Sequence, residues 1–254
     1  MKKNIQRFVT NYFSRNRYRL AKLKNIHLNQ RAFIVGTGPS LCVSDLDKLK
    51  SEVTFGCNKI YLAFAETDWR PTYYSVIDRM VAKNNNIEIE HLLLTKIFSS
   101  VAKPFFKKSK DIIWLNDLKS PTIQGERKFL FSKNAGKGIY GGFTVIYTQL
   151  QLAFYMGIKE VYLLGIDFDF KESQPTGEMT SAGEVLLKSE GEVNHFHSNY
   201  RQPGELWTIP RLDYQYKAFQ VAKIAFEEDG RKIYNASRKT KLDVFPPVNL
   251  DSIL

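Results

Sequence analysis

"FTVIYTQLQLAFYMGIKEVYLLGIDFDF" (residues 143–170) is the stretch that decides the fold. Residues 143–157 read as a buried helix closed by Gly157, and residues 159–170 as a central strand that runs into an acidic turn. A buried helix feeding a buried strand is the repeating unit of a parallel α/β sheet. Working outward, "RLDYQYKAFQVAKIAFEEDG" (211–230) is a second strong helix stopped by Gly230, and "RKIYNAS" (231–237) is a closing strand.

Upstream, "RAFIVGTGPSL" (31–41) gives an apolar strand, Ala32 to Val35, that breaks into a glycine turn. Further strand candidates lie in 52–64, "PTYYSVID" (71–78), "HLLLTKIF" (91–98) and "DIIWLND" (111–117). "SDLDKL" (44–49) reads as a short helix or turn between them. Two segments stand out as loops: polar, basic residues 118–142, read as mobile, and residues 171–210, rich in glycine and proline. Loops longer than about 12–15 residues in a compact domain are usually functional or disordered. The expected fold is a single Rossmann-like α/β domain over 31–254, with a mostly parallel sheet and helices on both faces.

Bulk properties fit that picture. The chain has 254 residues, 43% hydrophobic and 13% aromatic, enough for one large core. Cys42 and Cys57 make neither a metal-ligand spacing nor a disulfide framework, which points to a reducing, cytoplasmic compartment. No apolar run of a signal peptide and no stretch of roughly 18 apolar residues is present. The net charge is +11, and nine basic side chains fall within residues 1–44, which hold no Asp or Glu. This N-terminal arm, residues 1–30, also carries a helical stripe of Ile5, Phe8, Val9, Tyr12 and Phe13, continued by Leu20 and Leu23. Such a helix can lie on an anionic membrane surface through residues 1–24 or pack against its own domain. No nucleic-acid motif accompanies it, so a nucleic-acid partner is not expected.

Ligands of open α/β sheets bind beyond the carboxyl ends of the strands. That rule selects Gly36, Thr37, Gly38, Pro39 and Ser40 after the first strand, Asn58 after the second and Asp78 after the third. Asp167 and Asp169 follow the central strand, and Asn235 and Ser237 the last. A glycine turn after a strand can cradle phosphate with backbone N–H groups at a helix start. A redox dinucleotide is excluded, because G-x-G-x-x-G would need glycine where Leu41 stands and an acidic residue where Asn58 stands. Asp167-Phe168-Asp169 on an extended segment would aim both carboxylates at one cation such as magnesium. Of four histidines, His195 and His197 fall together in "NHFHSNY", as a general base, a metal pair or plain loop residues.

"FIVGTGPSL", "FGCNKIYLAF", "GIKEVYLLGIDF" and "NHFHS" occur in the order seen in bacterial lipooligosaccharide sialyltransferases, which the chain resembles. "PTYYSVID", residues 147–168 and "GRKIYNASRKTKLDVFPPV" (230–248) resemble more closely a wider related family. That family includes motility-associated flagellin glycosyltransferases and archaeal hydroxymethylpterin pyrophosphokinases. The resemblance implies a GT-A-like sialyltransferase variant that takes a CMP-activated acidic sugar, such as sialic or another ulosonic acid, with no required cofactor. It implies nucleotide contacts from Gly36 to Ser40 and at Asn58, and from Gly141 and Gly142 in "YGG" beside the donor. A histidine of the late loop would be the base, and Lys137, Tyr140 and Arg201 are candidates to hold the phosphate. Two departures stand out: Thr37 replaces an asparagine, and Asp169 replaces a tyrosine that assists the departing phosphate. The acceptor would be a glycan or glycolipid, approached by a cytoplasmic enzyme at the inner membrane face, with an oligomer compatible. The alternatives are a magnesium-dependent pyrophosphokinase acting on a small alcohol, for which no G-x-x-x-x-G-K-[ST] is present, and a non-catalytic nucleotide-binding subunit.

Overall fold

A computed structural model describes residues 15–107, 109–171, 175–179 and 185–254. In chain order the longer elements are β1 (Arg31–Val35), α1 (Val43–Asp47), β2 (Val53–Cys57), β3 (Tyr73–Ser75), α2 (Arg79–Asn84) and α3 (Asn86–His91). They continue with β4 (Lys96–Ser99), β5 (Ile112–Leu115), α4 (Val145–Tyr155) and β6 (Glu160–Leu164). The last are β7 (Pro175–Met179), β8 (Val185–Lys188), β9 (Leu206–Thr208), α5 (Leu212–Glu227) and β10 (Lys232–Asn235).

Seven strands form one sheet in the order β10-β6-β1-β2-β3-β4-β5. Every pairing in it is parallel. Both faces are covered, so each strand is apolar at successive positions rather than alternately. In β1, Ala32 and Ile34 face the layer of α4 and α5, while Phe33 and Val35 face the layer of α1, Trp69 and Leu250. The expected α/β fold is therefore the observed one. The chain builds outward from β1 to β5, then returns to the other side of β1 with β6. The reversal point lies between the carboxyl ends of β1 and β6.

All eleven residues of α4 are buried, which explains its lack of a polar face. Its two glutamines serve as connectors. Gln149 donates to Gly56 O at 2.8 Å. Gln151 accepts from the amides of Ser132 and Tyr140 and donates to the carbonyls of Tyr140 and Tyr147. That latch ties Ser132 and Tyr140 of the 118–142 segment to α4. Ser132, Ala135 and Ile139 are buried, and Asp117–Leu118 pairs with Ile139–Tyr140.

The second long loop needs correction. Within 171–210, β7, β8 and β9 form a three-stranded antiparallel sheet. The chain between β8 and β9 carries both loop histidines.

Ile5, Phe8, Val9, Tyr12 and Phe13 lie outside the described residues. Residues 15–22 are helical, and Leu20 and Leu23 pack into the core beside α4. The same helix covers the outer edge of β5. The Asn16 amide donates to Trp114 O at 2.9 Å and accepts from Trp114 N at 2.8 Å. Arg19 donates to the carbonyls of Lys110, Asp111 and Ile112. Side chains thus take the place of a neighbouring strand. Among the described residues, no helix is long and apolar enough to cross a membrane.

Candidate functional site

A cleft of about 650 Å³, measured to its open mouth, lies at the reversal point between β1 and β6. Its place follows the rule for open α/β sheets. Gly36 to Pro39, Asn58, Asp167, Asp169 and His195 all line it. The structure therefore brings together the ends of β1, β2 and β6 with one loop histidine.

The glycines of "GTGPS" serve a purpose other than the expected one. A Cβ on Gly36 would stand 2.2 Å from Ile166 Cδ1 and 2.6 Å from Gly165 O. A Cβ on Gly38 would stand 2.8 Å from both Asp167 Cγ and Gly165 O. The turn is stripped of side chains because the turn after β6 presses against it. Several of its amides are also engaged. Gly36 N donates to Leu164 O, Gly38 N to Gly165 O and Leu41 N to Gly38 O. Ser40 N donates to Asp167 Oδ2 at 2.7 Å, and Ser40 Oγ donates to Asp167 Oδ1. The following helix, α1, has only five residues and begins at Val43. As the turn stands, the amides of Gly36, Gly38 and Ser40 are engaged within the protein. Ser40 contributes by holding Asp167 and does not line the cleft.

Asp167 and Asp169 both line the cleft without facing one point. Phe168 between them has φ +54°, so the segment is not extended. Asp167 is held by Ser40, while Asp169 Oδ1 pairs with Lys241 Nζ at 2.9 Å. As placed, each carboxylate is engaged by a different protein partner. Among the described residues no group of three or more His, Cys, Asp or Glu side chains gathers for a metal.

Burial pushes the Asp167 carboxyl above its ordinary range, against the two hydrogen bonds from Ser40. A carboxylate with a raised folded pKa costs stability once pH climbs through that pKa. Asp167→Asn, neutral and still able to accept from Ser40, is expected to be at least as stable as wild type in urea at pH 7. The difference should close below about pH 4, where both side chains are neutral. A variant that is less stable at pH 7 would show that the charge serves the fold.

His195 is the more constrained of the two loop histidines. Its Nδ1 lies 2.9 Å from Glu192 Oε1. The ring stacks on Tyr200 at 3.6 Å and 5°, and Phe170 meets it edge-on at 6.2 Å. Burial pushes the imidazole pKa down, while the hydrogen bond to Glu192 works in the other direction. The loop is pinned to the glycine turn, because Phe196 N donates to Thr37 O at 3.0 Å. Thr37 Oγ1 also donates to the Tyr200 hydroxyl at 3.2 Å. Thr37 therefore ties β1 to the histidine loop. Lys59, which follows Asn58, adds a second tie through Glu205 Oε1 at 3.1 Å.

The remaining candidates sit elsewhere. His197 points away, with Nε2 4.0 Å from Glu66 Oε1 and Nδ1 accepting from Asn199 N. Asp78 caps α2 by accepting from the amides of Met80 and Val81. Gly141 and Gly142 precede the cleft wall, and Gly142 lies against the Tyr147 ring. Tyr140 is held by Gln151, and Lys137 is exposed. The guanidinium of Arg201 lies over the Trp207 ring at 3.7 Å. Asn235 and Ser237 brace the turn after β6, where Ser237 Oγ accepts from Ile166 N. None of these lines the cleft.

Sequence reasoning missed several residues that do. Thr144 caps α4 by accepting from Ile146 N, and the first residues of α4 form one wall. Gln215, from the first turn of α5, donates to Phe143 O at 3.0 Å. Phe170 and Asn194 complete the lining near His195. Glu192 was visible only as an acidic residue three positions before a histidine.

The sequence profile of the family described as 6-hydroxymethylpterin diphosphokinase MptE-like matches residues 4–173. The chain belongs to the MptE-like family. The resemblance drawn from its motifs is thereby borne out. No curated protein sequence matches this MptE-like chain. Among solved structures it is similar to the MAf glycosyltransferase from Magnetospirillum magneticum AMB-1, at 16% identity and a TM-score of 0.52. That match covers 89% of this chain and 34% of the other, so the MptE-like chain spans about a third of that enzyme's length. It is also similar to the sialyltransferase CstII from Campylobacter jejuni, solved with the substrate analogue CMP-3FNeuAc. There the identity is 13% and the TM-score 0.46, over 86% of each chain.

Proposed function

We propose that this MptE-like protein is a glycosyltransferase that moves an acidic sugar from a CMP-activated donor to a glycan hydroxyl, with His195 as the general base. The observation that carries the reading is the His195 imidazole itself. It lines the cleft, with Nδ1 turned to Glu192 and Nε2 without a hydrogen-bond partner among the described residues. The fold shared with a MAf glycosyltransferase and the motifs shared with lipooligosaccharide sialyltransferases support sugar transfer.

The donor phosphate fits best at the start of α4, where Thr144, Val145 and Ile146 line the wall. An eleven-residue helix puts the positive end of its dipole there. The cleft wall includes Asp167 and Asp169 and, among the described residues, no Lys or Arg. That balance favours a donor with a single phosphodiester over a triphosphate. The basic residues 1–24 would hold the enzyme near a lipid-linked acceptor on a cytoplasmic membrane face.

The family description favours a second reading, magnesium-dependent diphosphoryl transfer to a hydroxymethylpterin. It asks for a cation at Asp167 and Asp169, which here are held by Ser40 and Lys241. Thermal-shift measurements with CMP, CDP, UDP and ATP, each with and without magnesium, separate the two. A ligand that binds only the folded state raises its apparent stability by mass action, about 2.7 kcal/mol at a hundredfold excess over Kd. Stabilisation by CMP without metal is the expected result. Stabilisation by ATP only with magnesium would overturn the glycosyl reading, and no response to any nucleotide would leave a non-catalytic subunit.

A further inference from the structure

We infer that Glu192 is the positioning residue that makes Nε2 of His195 the basic nitrogen of the cleft; this rests on the reading of His195 as the base. A neutral imidazole carries one proton, and the partner of one nitrogen decides where it sits. A carboxylate can only accept, so Glu192 Oε1 at 2.9 Å places the proton on Nδ1 and the lone pair on Nε2.

Neither side of the pair is free to rearrange. The ring is stacked on Tyr200 and edged by Phe170. Oε1 of Glu192 also accepts from Asn194 N at 2.6 Å, and its side chain is only 1% exposed. Asn194 is itself fixed, since its side chain accepts from Lys171 N and donates to Lys171 O. The dyad is therefore anchored to the chain that leaves β6.

The second oxygen, Oε2, is buried and has no hydrogen-bond partner among the described residues. A buried acceptor on a charged group without a partner is costly, and such groups in native proteins call for an explanation. The dyad supplies one. In the resting state the carboxylate faces a neutral ring, and in the transition state it faces an imidazolium. The interaction grows as the ring takes the proton, which is the kind of change that accelerates a reaction. Arg201 on the same loop and Lys59 after β2 oppose ring protonation, and Glu192 counters them. Tyr200, below the ring, completes the titratable groups that face it.

The step balances as follows. The acceptor hydroxyl proton passes to Nε2, and the oxygen forms a bond to the anomeric carbon. The anomeric carbon–phosphate oxygen bond breaks, and its electron pair leaves with CMP.

The test begins with the wild-type protein. Nitrogen-15 NMR of the imidazoles, with His195 assigned by comparison with His195→Gln, is expected to show the proton on Nδ1. Glu192→Gln keeps an oxygen between Asn194 N and Nδ1 but removes the charge that meets the imidazolium, so it should lower the His195 pKa and reduce kcat by about 10²-fold. The KM for the donor should stay near wild type. A wild-type proton on Nε2, or a Glu192→Gln enzyme with wild-type kcat, overturns the inference. If His195→Ala is also fully active, the base reading itself fails. If His195→Ala is dead while Glu192→Gln is normal, only the role of Glu192 falls.

Discussion

Replacing His195 by alanine is expected to lower turnover by about two to four orders of magnitude while nucleotide binding, read as a thermal shift, stays near wild type. The split follows from where the ring stands. It lines the cleft from the β8–β9 connection, whereas the start of α4 and Asn58 come from other elements. Removing the imidazole deletes a proton acceptor without touching those walls. The stack on Tyr200 disappears with it, so some loss of stability is expected as well. His197→Ala is the companion measurement. It faces Glu66 at the surface and should leave turnover largely intact. An enzyme that loses activity through His197 and keeps it without His195 would reverse the assignment.

Gly36→Ala should produce the largest loss of stability among the single-methyl changes considered. The new methyl would meet Ile166 Cδ1 and the carbonyl oxygen of Gly165. The isoleucine tip can rotate away, but the carbonyl belongs to the backbone at the end of β6. The two turns would have to part. Overpacking of this kind costs about 1–3 kcal/mol. For a domain of this size each kcal/mol corresponds to roughly 2–4 °C in Tm. A fall of roughly 3–10 °C by calorimetry is expected, together with weaker nucleotide binding. Gly141→Ala is the contrast, since its nearest neighbour would be Arg127 Nη2 at 3.8 Å and its backbone needs no positive φ. It should melt close to wild type. Equal losses at Gly36 and Gly141 would mean that the turn tolerates separation.

These two outcomes mark what could be read from residues alone. The parallel strands were legible because burial on both faces leaves long apolar runs such as "VYLLG" and "AFIV". Helix α4 was legible as buried, and its glutamines were not legible as connectors, because their partners lie far away in sequence. The sheet of β7, β8 and β9 was missed for a physical reason. "PTGEM" is mostly exposed and short, and it lies among turn-forming residues, so it carries no apolar alternation. At the site, the rule of strand ends found Thr37, Asn58, Asp167 and Asp169. The glycines were found as well, but not the steric reason for them: they make room for the neighbouring turn after β6. Asp78 was over-read, since an aspartate just before a short helix is a routine cap. Glu192, Thr144 and Gln215 gave no usable signal, because only the assembled fold brings a loop carboxylate and two helix starts to one cleft.

The helix through residues 15–22 has a further consequence for how copies of this protein can meet. Asn16 and Arg19 occupy the outer margin of β5, and residues 246–248 run beside β10, with Asn235 N donating to Pro246 O and Val248 N to Asn235 O. The β5 end of the sheet is therefore covered against growth by a strand from another chain, and the β10 end is covered at Asn235. A version shortened to begin at residue 31 would unseal the β5 end and invite cross-chain pairing there, which would look like a solubility defect. Removing only the first fourteen residues leaves that seal in place, and so separates the surface chemistry of the arm from the closure of the sheet.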